Sequence, residues 1–584
     1  MPARQKQSFL HGALILTAAT VLVKIIGAVF KIPLTLVLGA EGSAHFYTAY
    51  DIFNPVSAIA IAGLPVAVSK LVAEYAARGC YRDVRRIRRL SLLLFCITGT
   101  LGFVITFFFA RPFANLVGNP SGVIPIMAIA PAVLFLCLMS SYRGYYEGLR
   151  NMYPTAISQV LEALAKLVLG YGLSLLIIKL GMDEFHKTGR VFGTAVDSVT
   201  QAQTAVLPFA AAAAIAGVTL STLFGLTYLL IRHFKHGDGI SKQELSRSPV
   251  ARSKKELLKS LVRIAVPVCL GSLVVSLTST IDLASVMNRL SVAVNSDAQT
   301  ILNGYAGMLP QDITLERLPS FLFGTYKGLP LTIFHLVPAI TTAFGISVLP
   351  AVSAAWAKSD QSDLKRNVES SLRVTALIAV PAGLGMSVLA GPILTLLYNF
   401  SGDGLVGEVA ISTPILALMG VAVIFVAIAS PVGAVLQAIG RADLPVKFMV
   451  IGGALKLLVN YILVAIPQIN ILGAPVGTLL CYIFIAVASI ISVCRNTRTA
   501  LSFKSVFIKP LCAGLLCAGG AYASYGFLSR VIDSRLATII AILIAGVIYL
   551  FALFLIRGIS ADDVRMLPGG EKIAKVLENR GIIG

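Results

Sequence analysis

The sequence predicts an all-α polytopic membrane protein: about fourteen transmembrane helices, forming two pseudo-symmetric six-helix lobes plus two C-terminal helices. Three observations carry this. Of 584 residues, 57% are hydrophobic and 13% charged, with a mean hydropathy of +0.86; soluble domains of this length lack that balance. The apolar runs are long enough to cross a hydrocarbon core of about 30 Å and are separated by short polar segments. Finally, one stretch recurs. Pro154-Thr-Ala-Ile-Ser-Gln-Val-Leu-Glu-Ala-Leu-Ala-Lys-Leu-Val-Leu-Gly-Tyr-Gly-Leu173 holds Glu162 and Lys166 inside a span. Further on, Leu444-Pro445 leads into Gly452-Gly-Ala-Leu-Lys456-Leu-Leu-Val-Asn-Tyr461, so that Lys166 matches Lys456 and Tyr171 matches Tyr461. At about 1.5 Å per residue, each lysine lies roughly 16–18 Å past its proline, near mid-membrane. A twice-used helix with a mid-membrane cation points to a two-lobed transporter for something anionic.

Spans are expected at 10–38, 46–77, 90–111, 121–147, 154–179, 205–232, 259–288, 321–357, 367–399, 408–438, 444–466, 471–493, 507–529 and 535–557. The net charge of +21 does not signal a nucleic-acid partner, because no folded basic domain remains to grip a duplex. Its basic residues collect in alternate loops, as in Arg82-Asp-Val-Arg-Arg-Ile-Arg-Arg89 and the run from Arg232 to Arg263. That asymmetry puts both termini in the cytoplasm. The apolar stretch 9–38 is too long for a cleavable signal, and many spans follow. The expected organisation is an N-terminal lobe over 1–233, a cytoplasmic linker over 234–258, a second lobe over 259–495, and two extra helices with a cytoplasmic tail over 496–584. Loops 180–204 and 289–320 are too small for folded domains, and 558–584 reads as an amphipathic surface helix. Ala67-Val-Ser69 and Ala351-Val-Ser353 close spans two and eight, each preceded by a proline, which extends the repeat. Two six-span units starting on the same side form a parallel repeat. The eight cysteines, Cys80, Cys96, Cys137, Cys269, Cys481, Cys494, Cys512 and Cys517, have no metal-ligand spacing and are expected as thiols.

Charged residues inside spans are the candidate site: Lys24, Lys31, Asp51, Lys70, Glu162, Lys166, Asp282, Lys327 and Lys456. Each costs roughly 2.5–3.5 kcal/mol at a helix centre, so they should face protein or water rather than lipid. With six cations among the nine, a cavity they line attracts an anion such as a phosphate ester. Lys166 and Lys456 lie too deep to snorkel easily; the plain alternative is a helix–helix hydrogen bond. Glu162, one turn before Lys166, reads either as a site residue or as that lysine's neutraliser. Lys24 and Lys31, seven apart, share a face of span one. Lys327 enters span eight from the outside, and Asp51 lies near an outer end. Lys70 and Asp282 read more readily as residues near span ends, and His335 as a packing histidine. Pro33, Pro55, Gly63-Leu-Pro65, Pro267, Pro338, Pro350, Pro381 and Pro431 supply bends and hinges. No HExxH, GxSxG or phosphate-loop signature is present, so the expected class is a transporter and not an enzyme.

Lys24-Ile-Ile-Gly-Ala-Val-Phe-Lys31-Ile-Pro-Leu34, Gly63-Leu-Pro-Val-Ala-Val-Ser-Lys70-Leu-Val-Ala73, Tyr142-Arg-Gly-Tyr-Tyr-Glu-Gly148 and Pro154-Thr-Ala-Ile-Ser-Gln159 resemble one family over essentially the whole chain. It is the polysaccharide-biosynthesis/stage V sporulation protein B type of Gram-positive bacteria, grouped with MurJ-type lipid II flippases in the multidrug/oligosaccharidyl-lipid/polysaccharide (MOP) exporter superfamily. The resemblance implies a bacterial cytoplasmic membrane protein with a V-shaped pair of lobes. A cationic central cavity for the diphosphate and sugar of an undecaprenyl-linked precursor, and a groove for the lipid tail made by the two extra helices, are likewise implied. It assigns the diphosphate to the basic residues of spans one and eight, here Lys24, Lys31 and Lys327, with lysine where arginine is common. Lysine is a point charge without arginine's fork.

The expected function is therefore a flippase for a lipid-linked glycan, most simply the peptidoglycan precursor lipid II, in cell-wall biogenesis or sporulation. Its expected partners are that lipid-linked oligosaccharide and membrane lipids, with cell-wall synthesis enzymes as candidate associates of a monomer. No cofactor is expected beyond a coupling monovalent cation or the membrane potential, worth about 2.3 kcal/mol per charge per 100 mV. The rivals are an exporter of another lipid-linked polysaccharide unit, a cation-coupled multidrug exporter, which would favour buried carboxylates, and a polytopic glycosyltransferase or glycan ligase, which would need a large outer loop with catalytic groups.

Overall fold

A computed structural model describes residues 9–61, 63–399, 405–556 and 558. The expected tail helix over 558–584 lies, but for Gly558, outside the described residues. The chain is helical nearly throughout, and packing divides it into two compact units. Unit 1 holds residues 1–291 and 316–324; unit 2 holds 292–315 and 325–584. Among the described residues, eleven helical runs are long and apolar enough to cross a membrane.

Unit 1 begins with α1 (Phe9–Ile61), two helical stretches joined at Gly39. Sixteen residues of straight helix would separate Phe30 from Phe46 by roughly 24 Å, yet their ring centroids are 6.2 Å apart. The chain thus folds back at Gly39, whose φ of 62° and ψ of −168° fall in a region that essentially only glycine occupies. Expected spans one and two are the arms of this bend and its continuation, α2 (Leu64–Ala77). There follow α3 (Tyr81–Phe108), α4 (Ala110–Val117), α5 (Val123–Gly148), α6 (Tyr153–Thr188) and α7 (Val199–His236). Between α6 and α7, β1 (Arg190–Val191) and β2 (Thr194–Ala195) pair antiparallel across Phe192 and Gly193, both at positive φ, a two-residue hairpin turn.

Residues 234–258, expected as the linker, fold back onto unit 1. Helix α8 (Lys242–Arg247) starts with a Ser241–Glu244 capping box, and α9 (Lys254–Ser296) follows. Arg85 donates two hydrogen bonds to Asp238, at 2.9 and 3.2 Å. Arg82 donates from Nε to the Leu245 carbonyl at 3.2 Å, and the Arg252 amide donates to Asp83 at 2.8 Å. Burial pushes the Asp238 carboxyl up, but the Arg85 hydrogen bond, the Ile240 amide, the Arg85 charge and the Tyr145 hydroxyl outweigh it and hold it below the usual range. This clasp therefore contributes its full stability above the ordinary carboxylate pKa and loses it only as pH falls through the lowered folded value.

Unit 2 comprises α10 (Ala298–Gly304), the end of α11 (Leu318–Gly328), α12 (Pro330–Phe334), α13 (Leu336–Ala357), α14 (Gln361–Val388), α15 (Ala390–Tyr398), α16 (Val406–Ala438), α17 (Asp443–Leu463), α18 (Gly473–Thr497), α19 (Lys509–Leu528) and α20 (Ser534–Leu555). Expected span eight is broken into α11, α12 and α13. The two extra helices pack together and against α14 and α15, with the Tyr549 hydroxyl donating to the Leu377 carbonyl at 2.7 Å.

The internal repeat reappears in the packing. In unit 1, α5 packs on α3 and α7, and α6 on α7; in unit 2, α16 packs on α14 and α18, and α17 on α18. Lys166 and Lys456 thus occupy corresponding helices, α6 and α17. Small residues set the approach of these helices, as membrane interfaces favour. A Cβ at Gly217 of α7 would run into the backbone of Leu169 and Gly170 on α6, whereas one at Gly172 meets nothing within 4 Å. Gly217→Val should therefore cost about 1–3 kcal/mol or more. Gly172→Ala should stabilise its helix by about 0.5–1 kcal/mol. Thermal unfolding of the purified protein in detergent checks both, and equal Tm values would contradict this packing.

Candidate functional site

Two of the sequence-selected residues of unit 1, Glu162 and Lys166, line a cavity where α1, α5 and α6 meet, and Lys24, Lys31 and Asp51 are not among its lining residues. The cavity, of about 280 Å³, is lined by Thr20, Val23, Gly27, Phe30, Arg143, Gln159, Glu162, Ala163 and Lys166. Three features of the chain build it. The reversal at Gly39 brings Phe46, which packs on Tyr47 and Tyr50, beside Phe30. The helical spacing of α6 puts Gln159, Glu162 and Lys166 on one face. The last turns of α5 carry Arg143 across to α6.

Arg143 is the residue that sequence reasoning missed. Its Nη2 donates to Glu162 Oε2 at 2.8 Å and its Nε to the Ser158 hydroxyl at 2.9 Å, with side chains 13% and 23% exposed for Arg143 and Glu162. The carboxylate one turn from Lys166 is thus committed to an arginine on another helix. Glu162 also lies within electrostatic range of Lys166, so both readings of this carboxylate stand, while the ammonium itself bonds a neutral hydroxyl. Lys166 Nζ donates to Tyr50 Oη at 2.6 Å and stands 5.1 Å from the Phe30 ring centroid and 4.9 Å from that of Tyr50. An aromatic box of this kind holds a cation by its quadrupole without cancelling the charge. Lys31 is treated alike, with Nζ 5.5 Å from the Tyr47 ring centroid. Lys24 lies within electrostatic range of both Lys31 and Lys166 and is exposed. Gln159 lines the same cavity, and its buried Oε1 has no hydrogen-bond partner.

Asp51 is buried next to Tyr50 on α1, and its carbonyl accepts from the Thr280 hydroxyl at 3.3 Å. In unit 2, Lys327 is buried near the end of α11, beside Gly328, whose carbonyl accepts from the Tyr398 hydroxyl at 3.3 Å. Lys456 is buried on α17, one turn before the buried Asn460. No cysteine forms a disulfide and no metal-ligating cluster occurs among the described residues.

Comparison with known proteins agrees with this architecture. The family model described as polysaccharide biosynthesis protein matches residues 9–309, more than half of the chain, and that described as lipid II flippase MurJ matches 326–552. The chain is 25% identical to lipid II flippase MurJ of Bacillus subtilis (strain 168), over 96% of this chain and 97% of that protein. It is also 25% identical to stage V sporulation protein B of the same organism, over 96% and 98%. Among solved structures, lipid II flippase MurJ in an inward closed conformation matches with a TM-score of 0.60 at 14% identity, covering 93% of this chain and 98% of that one. A multidrug resistance MATE family transporter of the MOP superfamily, inward-facing, matches at 0.58 and 16% identity, covering 82% and 98%. These two show the shared fold. The chain therefore belongs to the polysaccharide biosynthesis protein family: it is a multi-pass membrane transporter of MurJ-like fold, not an enzyme.

Proposed function

We propose that this chain is a flippase that moves an undecaprenyl-diphosphate-linked glycan, with lipid II as the first candidate, across the cytoplasmic membrane by alternating access. The observation that carries the proposal is the charge balance at the α1–α5–α6 cavity. Arg143 and Glu162 pair, while Lys31 and Lys166 sit against aromatic rings and a phenol, and Lys24 lies within electrostatic range of both. A diphosphate is the ligand that such a net positive, partly enclosed site stabilises best, because its oxygens accept charge-assisted hydrogen bonds from several donors. The unsatisfied Gln159 Oε1 offers an acceptor to a sugar hydroxyl or acetamido N–H beside it. Lys327, Lys456 and Asp51 enter the proposal as further substrate contacts, each to be tested singly. Both termini lie in the cytoplasm on this reading, since the basic loops mark the inner face. Membrane potential, or a coupling monovalent cation, returns the carrier. A cationic-drug exporter is disfavoured, because the carboxylate at this cavity is already neutralised.

The test is the exposure of lipid II to an outside probe after acute depletion of the protein. Outer-leaflet labelling should fall and the precursor should accumulate inside. Undiminished labelling in cells that lack every other flippase would remove lipid II as the substrate.

A further inference from the structure

A second cationic site lies in unit 1, at the end of the helices that carries Arg82–Arg89 and Arg232–Arg252, remote in sequence from the α1 lysines. Three helices build it. Helix α3 brings Arg85 and Arg88, α5 brings Tyr142, Tyr145 and Tyr146, and α7 brings Arg232 and His233. The tyrosines pack as a floor: Tyr142 and Tyr146 are buried in one apolar cluster with Met139, Leu226 and Leu229. Tyr146 Oη meets His233 Nδ1 at 3.0 Å. Arg88 stacks 5.8 Å from the Tyr145 ring centroid and sits against the Tyr142 hydroxyl.

The charges here do not close. Asp238 is the acid of the cluster, and Arg85 holds it with two hydrogen bonds while Tyr145 adds a third at 3.1 Å. Arg88 and Arg232 both lie within electrostatic range of Tyr146 and His233. Each buries a nitrogen without an acceptor: Nε of Arg88 and Nη1 of Arg232. A buried guanidinium N–H left unpaired is costly, because its desolvation is not compensated. Both guanidiniums act on Tyr146 and His233, and an oxyanion is the group whose acceptors could serve either of them. Arginine forks match phosphate geometry better than any other side chain.

The surroundings favour a phosphate attached to a lipid. Leu220, Phe224, Ile231 and Phe234 form an exposed stripe at helical spacing along α7 that ends beside Arg232, with Phe234 78% exposed. On α3, Leu93, Ile97, Leu101, Val104 and Phe108 form a second exposed stripe that starts just beyond Arg88. An amphiphile with an anionic head at the arginines would lay its chains along these apolar faces. Basic clusters at a membrane surface attract anionic lipids for the same electrostatic reason. We infer that Arg88 and Arg232, on the Tyr142–Tyr146 floor, form a binding site for the phosphate headgroup of an anionic phospholipid, separate from the α1–α5–α6 cavity.

The test uses the full-length protein purified in neutral detergent. Phosphatidylglycerol, phosphatidylcholine and inorganic phosphate are titrated separately, with thermal stability and lipid retention in native mass spectrometry as readouts. The wild type should gain stability with phosphatidylglycerol over phosphatidylcholine, and R88Q/R232Q should bind it at least tenfold more weakly. R88K/R232K, which keeps the charge but not the fork, should fall between. Stabilisation by inorganic phosphate alone, lost in R88Q/R232Q, would support the oxyanion pocket but overturn its assignment to a lipid. Should the glutamine variant not fold, competition on the wild type decides: no preference for phosphatidylglycerol over phosphatidylcholine and no effect of phosphate would overturn the proposal. Equal retention of phosphatidylglycerol by a folded R88Q/R232Q would overturn it as well.

Discussion

Lys24→Ala will abolish complementation of a flippase-depleted strain while the protein remains at normal level in the membrane. Lys24 is exposed, so its truncation removes less packing than that of a buried lysine; what is chiefly lost is one positive charge near Lys31 and Lys166. A hydrogen bond to a charged group is worth about 1.5–3 kcal/mol, or roughly a tenfold to hundredfold change in binding or rate. Lys24→Arg should restore growth, since it keeps the charge and adds a fork. Lys327→Ala should behave likewise for growth, although this side chain is buried and some loss of stability will accompany the effect. Normal growth of both alanine variants at native expression would count against the cationic site.

The second large effect is expected at Arg143. Arg143→Ala strips its partner from Glu162, whose side chain is only 23% exposed. Breaking a buried pair from one side costs about 3–5 kcal/mol, because the remaining charge is left uncompensated. Glu162→Gln in the same chain should recover most of that loss, since both charges then disappear together. A double-mutant cycle on thermal unfolding measures the coupling. Additive single effects would mean that Arg143 and Glu162 do not act as a pair. Transport should not recover with stability, because the double variant alters the hydrogen bonding beside Gln159 and Lys166.

Much of this arrangement was legible in the sequence. The composition and the apolar runs gave the membrane class, and the Lys166–Lys456 echo gave the repeat that reappears in the pairing of α5, α6 and α7 with α16, α17 and α18. Periodicity also put Glu162 and Lys166 on one face of α6. Partner choice was not legible, because it depends on neighbouring helices. Arg143 falls in the last turns of an apolar span, where a basic residue looks like an ordinary interfacial anchor. The signal available was a polar face on the next span, Ser158 and Glu162 one turn apart, which could receive a guanidinium. The aromatic box around Lys166 was hidden for another reason: Phe30 and Tyr50 meet only because α1 reverses at Gly39, and hydropathy alone does not mark that bend. The fold-back of 234–258 was equally hidden, since a polar Gly-containing stretch reads as a tether until the arginines of α3 are seen to bind it.

The central claim is that the lysines around the α1–α5–α6 cavity hold a diphosphate. Its most direct test compares the binding of a diphosphate-linked undecaprenyl disaccharide and of undecaprenol to the purified protein, wild type and Lys24→Ala/Lys166→Met. The account predicts that the wild type binds the diphosphate at least a hundredfold more tightly than the alcohol, and that most of this preference is lost in the variant. Equal affinity for the two lipids, or a preference that survives removal of both lysines, would contradict it.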